Sequence, residues 1–300
     1  MMVISSGIKN LYLPFKSVIK EVSNISSDVK LFKVIPIPPH PPLTKGGRGG
    51  IIDYIPGQFF MVSVWGAGEV PISVTSTGGL QRHIEFAIKK IGAVTTVLHK
   101  LKKSSAIWLR GPYGNGFNAA AAKKRDVVFI AGGIGIVPLR SLINFIQMRK
   151  KQYGKIFLLY GAKNPSEILF KEDLKTWNKK GIGIILTVDV HPVRNTFSNG
   201  AKNKLWTGNT GLVTEHIDKI KTDFKNAYSY ICGPDIMIEK TMKEITSRGI
   251  PDRQIITTLE ARMKCGIGKC GQCYHGIEYI CTNGSVYTYE EIKKRRVYGP

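Results

Sequence analysis

Apolar and polar positions follow two different rhythms along this chain. In the first part, to about residue 122, short apolar segments at Val29–Ile35, Gln58–Val64, Ile84–Ile88 and Ala106–Arg110 are separated by Gly, Pro or polar turns. Regular short strands of this kind predict an antiparallel barrel. Pro36–Gly50 interrupts the pattern with five prolines and four glycines, which excludes a strand or helix interior and reads as a surface insertion. The alanine run Ala119–Ala122, followed by Lys123–Arg125, marks a linker. Beyond it, strands and helices alternate. Strands are expected at Asp126–Ala131, Ile156–Tyr160, Ile182–Val188 and Tyr228–Cys232, and helices at Val137–Lys150, Lys171–Lys179, Val213–Ile220 and Asp235–Ser247. This order predicts a parallel sheet wrapped by helices. His191–Asn209 has neither period and reads as a long polar loop. The expected fold is therefore multidomain: a β-barrel over 10–122, an α/β domain over 123–255 and a small cysteine-bearing segment over 256–300.

Composition narrows the setting. The net charge is +23, from 44 Lys+Arg against 21 Asp+Glu, which favours anionic partners. The basic residues lie in short clusters, such as Lys100–Lys103, Lys123–Arg125, Arg149–Lys151 and Lys293–Arg296, without the interleaved aromatics that stack nucleic-acid bases. They fit solvated faces or a docking face for an acidic redox partner. No apolar run reaches membrane-spanning length; Val127–Leu139 is split by glycines and stopped by Arg140. No signal-peptide pattern opens the chain, so a cytoplasmic location is expected.

Four of the five cysteines crowd into Cys265, Cys270, Cys273 and Cys281, while Cys232 stands apart. The C-x4-C-x2-C…C spacing is the plant-type arrangement for a [2Fe–2S] cluster, whose two irons need four thiolates. Gly266, Gly268 and Gly271 let the loop wrap tightly and turn amide N–H groups toward sulfur. A four-cysteine zinc site is the competing reading. Such sites more often use two separate C-x2-C knuckles, and only Cys270 and Cys273 have that spacing here.

A second motif, Ile130-Ala131-Gly132-Gly133-Ile134-Gly135-Ile136-Val137-Pro138, follows a buried strand and enters a helix. Small residues there admit a pyrophosphate, and the helix start offers free N–H donors. Pro138 suits the first helical turn. The loop departs from the strict G-x-G-x-x-G fingerprint. Cys232-Gly233-Pro234 ends the last strand of the expected parallel sheet, so it should face the same crevice. Its thiol could lie against a nicotinamide ring or simply be buried packing. In the barrel half, Pro71-Ile72-Ser73-Val74 ends a strand, and Gly92-Ala93-Val94-Thr95 opens a short helical segment, a pairing suited to a second pyrophosphate.

Taken together and in order, Pro56-Gly57-Gln58-Phe59, Pro71-Ile72-Ser73, Arg110-Gly111-Pro112-Tyr113-Gly114, Ala131-Gly132-Gly133-Ile134-Gly135, Cys232-Gly233-Pro234 and Met263-Lys264-Cys265-Gly266 resemble the ferredoxin–NADP reductase superfamily. Within it, the chain is most similar to electron-transfer subunits with a C-terminal [2Fe–2S] cluster: the gamma subunits of (sulf)hydrogenases, their counterpart in anaerobic sulfite reductase and, nearby, the dihydroorotate dehydrogenase electron-transfer subunit. The resemblance runs from about Tyr12 to Tyr289. It implies an FAD-binding barrel, an NAD(P)-binding domain and a cluster that relays electrons to a partner catalytic or iron–sulfur subunit.

By the same resemblance, Pro71, Ile72, Ser73 and Val74 should lie at the flavin ring, and Gly92, Val94 and Thr95 at the FAD pyrophosphate. Gly111 and Gly114 belong to the flavin side. Gly132, Gly133, Gly135, Pro138, Gly233 and Pro234 should line the NAD(P) site, with Cys232 near the nicotinamide and Ser73 near the reacting flavin. The superfamily's Arg-x-Tyr-Ser flavin motif carries Val70 and Ile72 at its Arg and Tyr positions here. The implied chemistry needs a flavin between a two-electron donor and a one-electron centre. A zinc-containing nucleic-acid-binding module is the contrasting expectation; it predicts a colourless protein with steeply salt-dependent binding.

Overall fold

The computed structural model describes residues 12–37, 52–79, 82–189, 206–276 and 278–295. The first half is a six-stranded antiparallel sheet in the order β4-β3-β6-β1-β2-β5. Its strands are β1 (Phe15–Asn24), β2 (Val29–Pro36), β3 (Phe59–Val64), β4 (Gly68–Ser73) and β5 (Ile84–Lys89), then α1 (Ala93–Leu98) and β6 (Ala106–Tyr113). The chain leaving β4 closes the sheet on itself: Thr75 N donates to Glu85 O at 2.9 Å, and Glu85 N donates to Ser76 Oγ at 2.8 Å. Inward side chains of alternating strand positions, among them Ile19, Phe32, Phe60, Phe86 and Leu109, fill the barrel.

β1 escaped the sequence reading because lysines and serines break its apolar alternation; Phe15 and Ile19 are its deeply buried hydrophobic residues. Most of the Pro/Gly insertion, residues 38–50, lies outside the described residues, as do 191–205 of the polar loop and Arg296. Pro36 itself does take part in a strand. It is the last residue of β2, opposite Ser17, where the ladder ends.

The second half is a seven-stranded sheet in the order β10-β9-β8-β7-β11-β12-β15, parallel as expected except for its edge strand β15 (Val286–Thr288). It contains β7 (Asp126–Gly132), α2 (Ile136–Gln147), β8 (Ile156–Ala162), α3 (Lys171–Lys179), β9 (Gly183–Val188), β10 (Asn209–Thr210), β11 (Ala227–Cys232), α4 (Asp235–Ser247) and β12 (Ile255–Thr258). β7 is apolar without alternation because both of its faces are covered by helices. The alanine linker is a packed 3-10 turn with Ala119 and Ala122 buried. Val213–Lys219 is also 3-10 rather than the expected α-helix; only Val213 and Ile217 reach the core, too few anchors for a longer helix.

The cysteine-bearing segment holds the hairpin β13 (Tyr274–His275) and β14 (Glu278–Tyr279), then α5 (Ile280–Asn283), β15 (Val286–Thr288) and α6 (Tyr289–Arg295). β15 pairs antiparallel with β12. The segment after the cysteines therefore returns to the edge of the parallel sheet, and residue 255 is the first residue of a strand. One apolar core joins all three parts, with Phe59, Met61 and Tyr113 from the barrel, Ile130 and Ile231 from the sheet, and Cys273, Ile280 and Cys281 from the cysteine segment.

Candidate functional site

Two candidate sites lie against the barrel. The first is a groove of about 450 Å³ beyond the carboxyl ends of β7, β8 and β11, lined by Gly132, Gly133, Lys163, Gly233, Pro234 and Met237 among others. This is where open parallel sheets bind ligands. Lys89, at the end of barrel strand β5, also lines it. Gly133 sits at φ +53 with nothing near where a Cβ would be, so its backbone is bare toward the open space. Gly135 serves a different purpose. A Cβ there would stand 2.2 Å from Cys232 O, so only glycine lets the loop cross β11. Tyr160 braces the loop, its hydroxyl donating to Gly133 O at 3.1 Å. Pro138 lies in the first turn of α2, as expected.

Cys232 lies at the end of β11 beside this groove but is 1% exposed. Burial pushes its thiol up to about 12, only partly offset by a hydrogen bond with Thr258. It is a neutral thiol beneath the groove and not a nucleophile. Glu260, which the sequence reading passed over, lines the groove. Its side chain is open to solvent at the mouth, yet enclosure by the walls, and then the Asp235 carboxylate, raise its pKa.

On the barrel, β4 has no buried residue, although Val70, Pro71 and Ile72 are apolar. It offers a half-covered apolar face, the kind of surface a planar ring can lie on. Ser73 ends this strand, while Val74 turns inward and is fully buried in the barrel core. α1 packs on β3 and β4, so Gly92 and Val94 stand close to that face. Thr95 spends its hydroxyl locally: Oγ1 accepts from Ile91 N at 3.0 Å and from Gly92 N at 2.9 Å, which holds the turn open at Gly92. Gly111 and Gly114 are packing positions. A Cβ would press on Phe60 and Phe59 O at Gly111, and on Phe59 and Ser285 at Gly114.

The second candidate site is the cysteine loop. Its sulfurs fall into two pairs: Cys273 Sγ and Cys281 Sγ are 3.2 Å apart, and Cys270 hydrogen-bonds Cys265. The N–H groups of Ile267, Lys269 and Cys270 point at Cys265 Sγ at 3.5, 3.3 and 3.4 Å, and Gly268 N donates to Cys281 Sγ at 3.1 Å. Burial raises the Cys265 thiol, but those amides outweigh it and hold the pKa at about 6. Burial first, then the Cys273 sulfur, pushes Cys281 up to about 12. Gly268 at φ +75 supplies the amide that reaches Cys281, and a Cβ would strike Thr282 at 2.9 Å. Among the described residues no three His, Cys, Asp or Glu side chains gather as they would around one metal ion. Two thiol pairs ringed by amides suit a two-iron group better than a single zinc.

The comparisons agree with this anatomy. Residues 129–243 match the family model "Oxidoreductase NAD-binding domain", and 260–293 match "Iron-sulfur cluster binding domain of dihydroorotate dehydrogenase B". The sulfhydrogenase 2 subunit gamma of Pyrococcus furiosus is 37% identical over 78% of this chain and 83% of its own length. The chain belongs to the FAD/NAD-binding iron–sulfur electron-transfer subunits. In this family, a probable dihydroorotate dehydrogenase B (NAD(+)) electron transfer subunit of Pyrococcus abyssi is 33% identical over 81% of the chain and 82% of its own length. The fold matches that of the NADH-dependent reduced ferredoxin-NADP oxidoreductase, with a TM-score of 0.69 at 21% identity over 94% of both chains. As an electron-transfer subunit, this chain works with FAD, a nicotinamide nucleotide and an iron–sulfur cluster. No helix among the described residues is long and apolar enough to cross a membrane.

The bonding roles of two arginines, Arg110 in the Arg110–Gly114 motif and Arg140 after the glycine loop, emerge only in the fold. Nothing in their local spacing marks them; their partners come from 41 and 155 residues away in one case and 55 and 33 in the other.

Proposed function

We propose that the chain is the diaphorase-type subunit of a redox complex, exchanging electrons with NAD(P)H at one face and with a partner subunit at another. The observation that carries this reading is the seating of both features on one barrel. Lys89 of β5 reaches the glycine groove, and Arg110 of β6 holds the peptide of Cys265.

When bound, these groups would supply hydride transfer, splitting of an electron pair and one-electron transfer. The chain's residues hold these groups in order and need move no proton of their own. Gly133 bares its backbone for the dinucleotide, Gly132, Gly233 and Pro234 line the groove, and Gly135 and Pro138 set the loop and the helix start behind it. Cys232 lies buried next to Gly233, at the strand end where the nicotinamide would approach. Pro71, Ile72 and Ser73 present the flavin face, with Val74 anchoring that strand in the core. Gly92, Val94 and Thr95 form the turn for its pyrophosphate, and Gly111 and Gly114 let β6 and the cluster segment approach from behind. Cys265, Cys270, Cys273 and Cys281 would hold the cluster as its four thiolate ligands. Functionally the chain divides at 10–122, 123–255 and 256–300, with β12 and β15 stitching the last segment to the second.

The partner docks at the cluster loop. Cys270 and Tyr274 are exposed there, and residues 261–277 carry Arg262, Lys264 and Lys269 with no acidic residue. An acidic surface on a hydrogenase-like catalytic or iron–sulfur subunit, or a ferredoxin-like protein, fits that face. A dihydroorotate-dehydrogenase-type partner is the second reading, favoured by the match over 260–293.

Anaerobically purified protein tests the reading. It should carry one FAD and two irons per chain, with a visible spectrum that bleaches on adding NADH or NADPH. A colourless chain holding zinc and no flavin would overturn it.

A further inference from the structure

Arg110 is 8% exposed, an unusual place for a cation. From β6 its Nε donates to Glu69 Oε1 at 2.9 Å and its Nη2 to Glu69 Oε2 at 2.5 Å. Nη1 donates to Tyr113 Oη at 3.1 Å, and Nη2 also donates to Cys265 O at 2.9 Å. Glu69 is on β4, two residues before the Pro71-Ile72-Ser73 face. Cys265 opens the cysteine loop. One guanidinium therefore grips the strand assigned to the flavin and the peptide of a residue assigned to the cluster.

The surroundings leave that grip little freedom. A Cβ on Gly266 would meet Met61 Cγ at 3.0 Å, so the loop lies directly on the barrel. At the far end of the segment, Asn115 Nδ2 donates to Val286 O at 2.7 Å, and Val286 N donates to Asn115 Oδ1 at 3.1 Å. Arg110 and Asn115, five positions apart, thus pin the two ends of the cysteine segment to a single stretch of the barrel chain. Burying a charged pair is a poor way to gain stability, since an apolar pair of the same volume is often as stable or more so. What an apolar pair could not provide is directional bonds to Cys265 and a fixed charge beside it.

We propose that Arg110 is a positioning residue for electron relay: it fixes the cluster loop against the flavin strand, and the Arg110–Glu69 pair sets the cluster's reduction potential. This rests on the assignment of Cys265, Cys270, Cys273 and Cys281 as cluster ligands. Cluster potentials respond to nearby net charge and to hydrogen bonds around the ligands. The two members of the pair must then act with opposite signs. Arg110→Gln leaves the Glu69 carboxylate, disfavours the extra electron and lowers the potential. Glu69→Gln leaves the guanidinium and raises it.

The test is a redox titration of the cluster in the holoprotein, followed by low-temperature electron paramagnetic resonance, for wild type and both variants. Each substitution is expected to change the one-electron equilibrium by about tenfold, which is about 59 mV, in opposite directions. Arg110→Gln should also alter the line shape, because Cys265 loses its tether. A purely structural role moves both variants the same way or neither, and either result overturns the proposal. If Arg110→Gln does not fold, Glu69→Gln decides alone, since it keeps the bond to Cys265; an unshifted potential there is fatal. A wild-type protein without flavin or iron refutes the functional assignment instead, so the two failures are distinguishable.

Discussion

At the scale of single residues, the glycine loop separates two roles that its sequence cannot. Gly133→Ala places a methyl group in the open groove at φ +53, costing about 1 kcal/mol of backbone strain while blocking the nucleotide. Gly135→Ala drives a methyl group into the Cys232 backbone, where nothing flexible can yield. Gly133→Ala should therefore weaken NADH binding at least tenfold with a small change in melting temperature, whereas Gly135→Ala should lower the melting temperature sharply; calorimetry and nucleotide titration read both. Cys232 supplies a second prediction. Its thiol, raised to about 12, stays protonated and should resist alkylation at pH 8 in the native protein, reacting only after denaturation. Because the folded pKa lies above the ordinary value, this group's contribution to stability is complete below about pH 8.5 and is lost as pH rises toward 12. Which glycine faces the groove and which one packs emerges only in the fold, although the glycine-rich turn and the cysteine spacing were legible in the sequence as candidates. The roles of Arg110, Arg140 and Glu260 were not, since they come from partners that only the fold brings near.

At the scale of elements, the joint between the barrel and the parallel sheet is held by α2. Arg140 donates to Glu85 Oε2 at 2.5 Å and Thr75 O at 3.2 Å in the barrel, and to Asp173 Oδ2 at 2.8 Å on α3. Ser141 Oγ donates to Ser76 O at 2.5 Å, and Thr77 Oγ1 to Ser141 O at 3.0 Å. The helix that begins at the glycine loop is thus bonded to the segment that follows β4. Arg140→Met strands the buried Glu85 carboxylate and should destabilise the protein by about 3–5 kcal/mol, measured as a fall in the denaturant midpoint. A double-mutant cycle with Glu85→Gln should recover much of that loss. Two helices were readable from period and length, since Lys171–Lys179 and Asp235–Ser247 have the expected ends, whereas β1 and the 3-10 turn at Val213–Lys219 were not. β12 and β15 were hidden because four and three residues are too few to show a period, and their pairing is set by tertiary contact.

At the scale of the whole molecule, the proposed docking face makes the positive charge testable, since Arg262, Lys264 and Lys269 are exposed within the stretch that bears the exposed Cys270. Lys264→Glu with Lys269→Glu should slow electron delivery to an acidic protein acceptor on the order of tenfold at low salt, and the defect should shrink as salt rises. Delivery to a small neutral quinone should change little. If one chain connects a nicotinamide site to an iron–sulfur cluster through a flavin barrel, nucleotide alone must reduce the cluster. Low-temperature electron paramagnetic resonance of the anaerobic protein after adding NADH or NADPH should then show a reduced-cluster signal that Cys273→Ser abolishes. A cluster that dithionite reduces but neither nucleotide does, with flavin present, would contradict that connection.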